Sequence, residues 1–240
     1  EHRFETFLRD RFAAYPEHRN QPQTDDVSHM SPYLHFGQIS PVRLLLKARD
    51  AGPPESADTF LEELVVRREL AANFTAFRTD YDAYDGLPEW ALDTLEKHGA
   101  DPRPYTYARE QFEAADTHDP YWNAAMKEMR DTGYMHNYMR MYWGKKILEW
   151  SRSPREAFQT VLTLNNRYFL DGRDPNSYAG VAWVFGRHDR PWPERPVFGK
   201  TRSMSAAGLE RKCDIRGYVR KVEGLSRQAD PASPQWKVSR

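Results

Sequence analysis

Apolar residues recur every three or four positions through most of this 240-residue chain, and alternating runs of Val, Ile, Thr and aromatics are almost absent. That period predicts helices and an all-α fold. Phe60, Leu61, Leu64, Val65, Leu70, Ala71, Phe74 and Phe77 mark one face of a helix that opens at Asp58-Thr59 and closes in the polar Arg78-Thr79-Asp80. Ser40-Pro41 and Ser153-Pro154 read as two further helix starts, each with a hydroxyl to cap the free N–H groups and a proline where no N–H is needed. Thr117-His118-Asp119-Pro120 opens another helical run. Gly133 is expected to interrupt that run, as a kink or a junction, before a second stretch from about Tyr134 to Trp150. Residues 79–90, 186–206 and 223–240, rich in Pro, Gly, Asp and Ser, read as loops, the last as a loop or frayed tail behind one helical domain over residues 1–222. No repeat or low-complexity tract is visible.

Composition narrows the class. With 39% hydrophobic residues the chain can bury one large core or two small ones, and one domain is the simpler expectation. Long apolar runs, a basic-then-apolar leader and any second cysteine beside Cys213 are missing, which argues against membrane spans, a secretory signal and a disulfide framework. Formal charge is zero, yet residues 181–240 hold 13 Lys/Arg against 6 Asp/Glu, and the rest of the chain 22 against 29. The two parts therefore carry +7 and −7. A basic end suits a polyanion-binding face, although a solvated basic tail would look the same.

Eight histidines show no HExxH, no Cys-rich partner and no ligand spacing, so no metal is expected. Trp143 and Trp150, seven apart, would lie within about 20° of one helix face and about 10.5 Å along its axis. That spacing suits a core stripe, the usual role of paired aromatics, or a relay of oxidisable rings.

Residues 135–150, MHNYMRMYWGKKILEW, decide between these. They resemble the signature of the class II photolyases, which split cyclobutane pyrimidine dimers with light. VSHMSPYLHFG (27–37), EELVVRREL (62–70), THDPYWN (117–123) and LDGRDPN (170–176) resemble further segments of that family in the same order, so the likeness runs roughly from residue 4 to 221. The resemblance implies the multi-helical, FAD-binding C-terminal domain of the photolyase/cryptochrome family. The α/β antenna domain that normally precedes it is expected to be absent from this chain.

By that likeness Tyr15, Ser28 and Ser31 would hold the FAD phosphates, although Ser31-Pro32 alone reads as an ordinary N-cap. Arg140, Asp171 and Asp174 would flank the flavin, where a guanidinium favours an anionic reduced ring; an ordinary buried ion pair is the other reading. Asn165 would face flavin N5, or cap a turn. Glu63 would hydrogen-bond the damaged pyrimidines, its pKa raised by burial so that it can donate; a helical salt bridge to Arg67 is the alternative. Met141 and Trp183 would wall the flipped lesion, Trp183 being otherwise a core residue. Trp143, Trp122 and Trp150 match the proximal, middle and distal members of the light-driven tryptophan relay. Arg190 and Trp192 in HDRPW, with Lys200-Thr201-Arg202, would enter the duplex, or form a Pro-rich surface loop.

The resemblance thus predicts an FAD enzyme for UV-damaged double-stranded DNA, a deoxyribodipyrimidine carbon–carbon lyase. It would act as a monomer in a prokaryotic cytoplasm, at the nucleoid, or in a eukaryotic nucleus. A cryptochrome-like light sensor would keep FAD and the tryptophans but need neither Glu63 nor the duplex-entering loop. A non-catalytic DNA-binding remnant would keep neither flavin nor repair, and a (6-4) photoproduct enzyme fits the MHNYMRMYW pattern less well.

Overall fold

Capped helix starts fix where the chain turns. Ser40, Asp119, Ser153 and Asp174 each accept backbone N–H groups of the turn they open, and each is followed by a proline. Asp119 Oδ1 serves two, from Tyr121 at 2.8 Å and Trp122 at 3.1 Å. Such caps contribute about 1 kcal/mol each. The computed structural model describes residues 1–229. In order, its helices are α1 (His2–Asp10), α2 (Tyr15–His18), α3 (Ser31–His35), α4 (Pro41–Asp50), α5 (Pro54–Leu61), α6 (Arg68–Phe77), α7 (Glu89–Lys97), α8 (Arg109–Ala114), α9 (Pro120–Thr132), α10 (Asn137–Trp150), α11 (Pro154–Tyr168), α12 (Pro175–Val184), α13 (Ala206–Lys212) and α14 (Ile215–Ala229). A single antiparallel bridge, Arg195 to Gly199, is the only strand-like pairing among the described residues. The all-α expectation holds, and no described helix is long and apolar enough to cross a membrane.

Several boundaries differ from the sequence reading. The helix expected from Asp58 begins at Pro54, where Ser56 and Ala57 are already buried. It then passes through a π-helical turn, Glu62–Arg67, before α6 continues it. Ser31 is not an N-cap: it is the first residue of α3, behind Met30, and that helix start has no side-chain cap. Of the two roles expected for Gly133 the junction holds: it is no kink but the left-handed C-cap of α9, at φ 70°, with the Leu170 N–H donating to its carbonyl at 2.9 Å. The frayed tail is corrected in part, because residues 223–229 continue α14. Ile215, Tyr218 and Val222 recur at helical spacing and are buried, which outweighs the polar composition behind them. Residues 230–240, the rest of that expectation, lie outside the described residues.

Two apolar clusters form. In the smaller, Phe60 is ringed by Phe4, Phe7, Phe12 and Tyr15 with centroids 5.7–6.0 Å away. The larger gathers α6 to α14 around Trp122, Tyr142, Trp143, Ile147 and Phe158. At its centre α10 is buried on nearly every side, its two lysines included. Lys145 Nζ donates to the Val184 carbonyl at the end of α12, and burial pushes its pKa down to about 7.

Helices α10 and α12 approach so closely that a Cβ on Gly144 would stand 2.5 Å from Val184 Cγ2. Val184 is buried and β-branched, so it has little room to turn away. Gly144→Ala is expected to lower unfolding stability by about 1–2 kcal/mol, overpacking outweighing the better helix propensity of alanine. In urea unfolding, Gly144→Ala with Val184→Ala should cost less than the two single changes summed; simple additivity would refute the contact as the cause.

Candidate functional site

Between the two clusters lies a cavity of about 790 Å³. Tyr15, Met30, Phe60 and Leu64 of the smaller cluster face Met135, Trp143, Val161 and Phe169 of the larger across it. Twelve of the residues singled out from the sequence line it: Tyr15, Ser28, Ser31, Glu63, Arg140, Met141, Trp143, Asn165, Asp171, Asp174, Trp183 and Arg202. Trp122, Trp150, Arg190 and Trp192 do not.

Arg140, one turn into α10, is held on three sides. Its Nε donates to the Met135 carbonyl at 3.1 Å, Nη2 donates to Asp171 Oδ2 at 3.0 Å, and the guanidinium lies 3.9 Å from the centre of the Phe169 ring. Asp171 Oδ1, equally close to the arginine, receives no aligned hydrogen bond and is buried. The pair therefore keeps one acceptor free beside the cavity. Asn165 is buried and exchanges hydrogen bonds with Ser177 at 2.7 and 3.0 Å. Asp174 caps α12 and meets His35 Nδ1 at 3.4 Å. Tyr15, deep in the wall, is pushed up to about 12, by burial first and then by the nearby Glu63.

Glu63 stands on the π-turn, and its partner differs from the expectation. Arg19 Nη1 donates to Glu63 Oε1 at 2.5 Å, whereas Arg67 pairs with Glu62 and lies 5.1 Å over the Trp183 ring. The burial expected for Glu63 is also missing, since its side chain is 38% exposed and ion-paired. Arg19 follows α2 in a stretch with no motif or period, and it joins Glu63 across 44 residues, so the sequence carries no signal for it. Ser177 is equally silent. His29 pairs with Asp25 at 2.7 Å and lies 4.7 Å from the Tyr134 ring at the cavity wall.

Aromatic rings lead outward from this wall. Trp143 lines the cavity with its Nε1 unpartnered. Trp122 Nε1 donates to the Trp143 carbonyl at 3.0 Å, and the Trp122 and Trp150 centroids are 6.0 Å apart. Trp150 in turn meets His118 at 4.9 Å, which stacks at 3.8 Å on the exposed Tyr105. Trp122 thus sits between the two tryptophans that α10 spaces a heptad apart.

The loop between α12 and α13 carries the remaining residues. Trp192, 39% exposed, lies between Arg190 and Arg202, whose guanidinium carbons stand 5.8 and 5.7 Å from its ring. Backbone bonds from Trp192 to Lys200 and from Arg195 to Gly199 fold the loop back on itself. It is tied to α7 where Lys200 N–H donates to Thr94 Oγ1 at 2.9 Å and where His98 joins Asp101 and Glu194 at 2.6 and 2.7 Å.

Comparisons agree with this architecture. No protein-family model matches the chain. It is 56% identical over 223 residues to the deoxyribodipyrimidine photo-lyase of Methanothermobacter thermautotrophicus, 51% over 227 to that of Oryza sativa subsp. japonica and 46% over 221 to that of Potorous tridactylus. Those alignments take in 91–93% of this chain but 42–49% of the relatives, so the chain spans about half the length of the curated relatives it matches. Among solved structures, a bacterial class III photolyase from Agrobacterium tumefaciens superposes with a TM-score of 0.69 at 18% identity, over 92% of this chain and 43% of that one. The fold is therefore that of the helical part of photolyases.

The start of α10, which aims Arg140, rests on a buried histidine. His136 Nδ1 accepts the Tyr138 N–H at 3.2 Å, and the His136 backbone N–H donates to Glu128 Oε2 at 3.3 Å, which the Tyr218 hydroxyl also holds at 2.6 Å. Burial, then Lys221 and other cations, depress the His136 pKa from 6.5 to about 3. Between those values the unfolded chain binds a proton that the folded one refuses, so this contribution to stability is complete above pH 6.5 and falls as the pH drops towards 3. His136→Asn, which keeps a capping acceptor, should flatten that decline, by at most about 1.4 kcal/mol per pH unit. Urea unfolding at several pH values reads the difference, and parallel curves would sink the assignment.

Proposed function

We propose that this chain is the flavin- and lesion-binding part of a class II deoxyribodipyrimidine photo-lyase, acting on cyclobutane pyrimidine dimers in UV-damaged double-stranded DNA with FAD as cofactor. The observation that carries the reading is the single cavity in which the Arg140–Asp171 pair, Asn165 and Trp143 meet Glu63, Met141 and Trp183. Identity of 46–56% to proteins named deoxyribodipyrimidine photo-lyase supports the activity, and the MHNYMRMYWGKKILEW segment supports the class.

The cavity suits FAD on physical grounds. It offers Asp171 Oδ1, buried and without an aligned hydrogen bond, as an acceptor and Trp143 Nε1 as a donor, and it joins apolar walls to a few fixed polar groups. Ser28, Ser31 and Tyr15 present hydroxyls for phosphate, and Arg140 supplies a fixed positive charge that favours an anionic ring. When bound and reduced, FAD would supply the light-driven electron that opening a dimer requires. The protein's own work is to bind and orient. Trp183 and Met141 offer a flat and a soft wall to bases taken out of the stack, and Arg67 backs Trp183. Glu63 and Arg19 place an acceptor and a donor together at the same mouth. Trp143, Trp122 and Trp150 provide a path by which the flavin can be reduced from outside. Arg190, Trp192 and Arg202 form the stacked, cationic edge that meets the duplex.

Blue light should remove dimers from an oligonucleotide when the protein carries chemically reduced FAD, and darkness should not. Glu63→Ala is expected to lower the quantum yield of repair severalfold. Trp143→Phe should abolish photoreduction of oxidised FAD yet leave repair by the pre-reduced protein within about twofold. Retained FAD that photoreduces without repair would favour a light sensor, and failure to retain FAD would favour a non-catalytic remnant.

A further inference from the structure

A second cavity, of about 520 Å³, opens beside the first. Tyr138, Arg202 and Lys212 line both and form the wall between them. Its remaining lining comes from α10, the Arg195–Ser205 stretch and α13. The cavity has two kinds of surface. Phe198, Met204, Leu209 and Tyr138 make an apolar and aromatic floor. Arg195, Arg202, Arg211 and Lys212 supply four cations, none of which forms a salt bridge among the described residues. The acid lining it, Glu149, is already neutralised by Lys146 at 2.6 Å.

Other cations, Arg19, Arg43, Lys47, Arg78, Arg140 and Arg155 among them, meet carboxylates. Arg190 and Lys200, on the loop leading in, are likewise without salt bridges among the described residues. Unpaired cations gathered around one concavity repel one another and attract a polyanion, and a floor of rings and a thioether accepts a base by stacking and dispersion.

We infer that this cavity is a nucleotide subsite: it takes one nucleotide of the bound DNA outside the dimer, its phosphate among Arg195, Arg202, Arg211 and Lys212 and its base against Tyr138 and Met204. The inference rests on the DNA reading given above and adds to it a second point of attachment. A nucleotide, rather than a free anion, follows from the apolar floor and from the wall shared with the lesion cavity, which places the two sites along one continuous strand path. The subsite's phosphate contacts position the duplex and carry no damage specificity of their own.

The test uses the full chain loaded with FAD and two labelled duplexes, one containing a single dimer, titrated between about 50 and 200 mM salt. Arg195→Gln with Arg211→Gln should make the slope of log K against log salt shallower by roughly 0.9 per lost contact, and weaken damaged and undamaged duplex by a similar factor. Lys127→Gln, a cation on α9 outside both cavities, should keep the parental slope. In parallel, 2-aminopurine placed singly at positions outside the dimer should change its emission on binding at one of them. Met204→Trp, which fills the floor, should abolish that change. A parental slope in the double variant overturns the inference. A shallower slope with no 2-aminopurine response, and full competition by inorganic phosphate at matched ionic strength, overturns it in favour of a plain anion site. If the parent binds both duplexes equally, the photo-lyase reading fails, while the slope on undamaged duplex still reads the subsite separately.

Discussion

Helix α10 can lie buried on nearly every side only because each of its cations, Arg140, Lys145 and Lys146, finds a partner inside the protein. An unpaired buried charge costs several kcal/mol, so the cations of this helix dictate what must surround it. Lys145 fixes the end of α12, and Arg140 fixes Asp171. Lys146 holds Glu149 and lies near the Tyr142 and Trp150 rings, and the Trp143 carbonyl holds the Trp122 indole. One helix thereby sets the wall of the main cavity, the spacing of the tryptophans and the origin of the loop that carries Trp192. Packing density and chemistry are here the same constraint.

What the sequence made legible was local or came as a long word. Serine or aspartate followed by proline announces a helix start, because the chemistry of capping lies within four residues, and these starts are where the structure has them. Arg140, Trp143 and Met141 were found together because they share one segment. Arg19 and Ser177 were missed for the opposite reason: each completes a pair across a distance that no period encodes. The expectation for Glu63 failed on the same point, since burial and ion pairing are properties of neighbours, and the neighbour was Arg19. Ser31-Pro32 looked like the other caps, yet α3 begins one residue earlier than that motif implies. The tail was misread because residues 223–229 are polar in composition, whereas Ile215, Tyr218 and Val222 had already committed the helix they continue.

Charge is distributed with a consistent logic. The net-neutral total hides a cationic stretch of which Arg195, Arg202, Arg211 and Lys212 line one or both of two adjoining cavities, while the acidic surplus lies elsewhere along the chain. A face built in this way draws a polyanion without making the whole molecule a nonspecific binder, because long-range attraction falls off within a Debye length of about 8–10 Å at ordinary ionic strength. The loop is also held from behind, through Thr94 on α7 and His98 just after it, so its cations are offered on a braced edge rather than on a free strand.

The π-turn at Glu62–Arg67 lets one continuous rod of chain serve two cores that want different registers. Phe60, before it, belongs to the smaller cluster, and Ala71 and Phe74, after it, belong to the larger. A π-turn accommodates one residue more than an α-turn, and one residue is worth about 100° of rotation around a helix. Loss of a single residue here would swing Phe74 away from its cluster or Phe60 away from its own. A change of even one residue here is not neutral in length, and the segment should behave in evolution as a ruler rather than a linker.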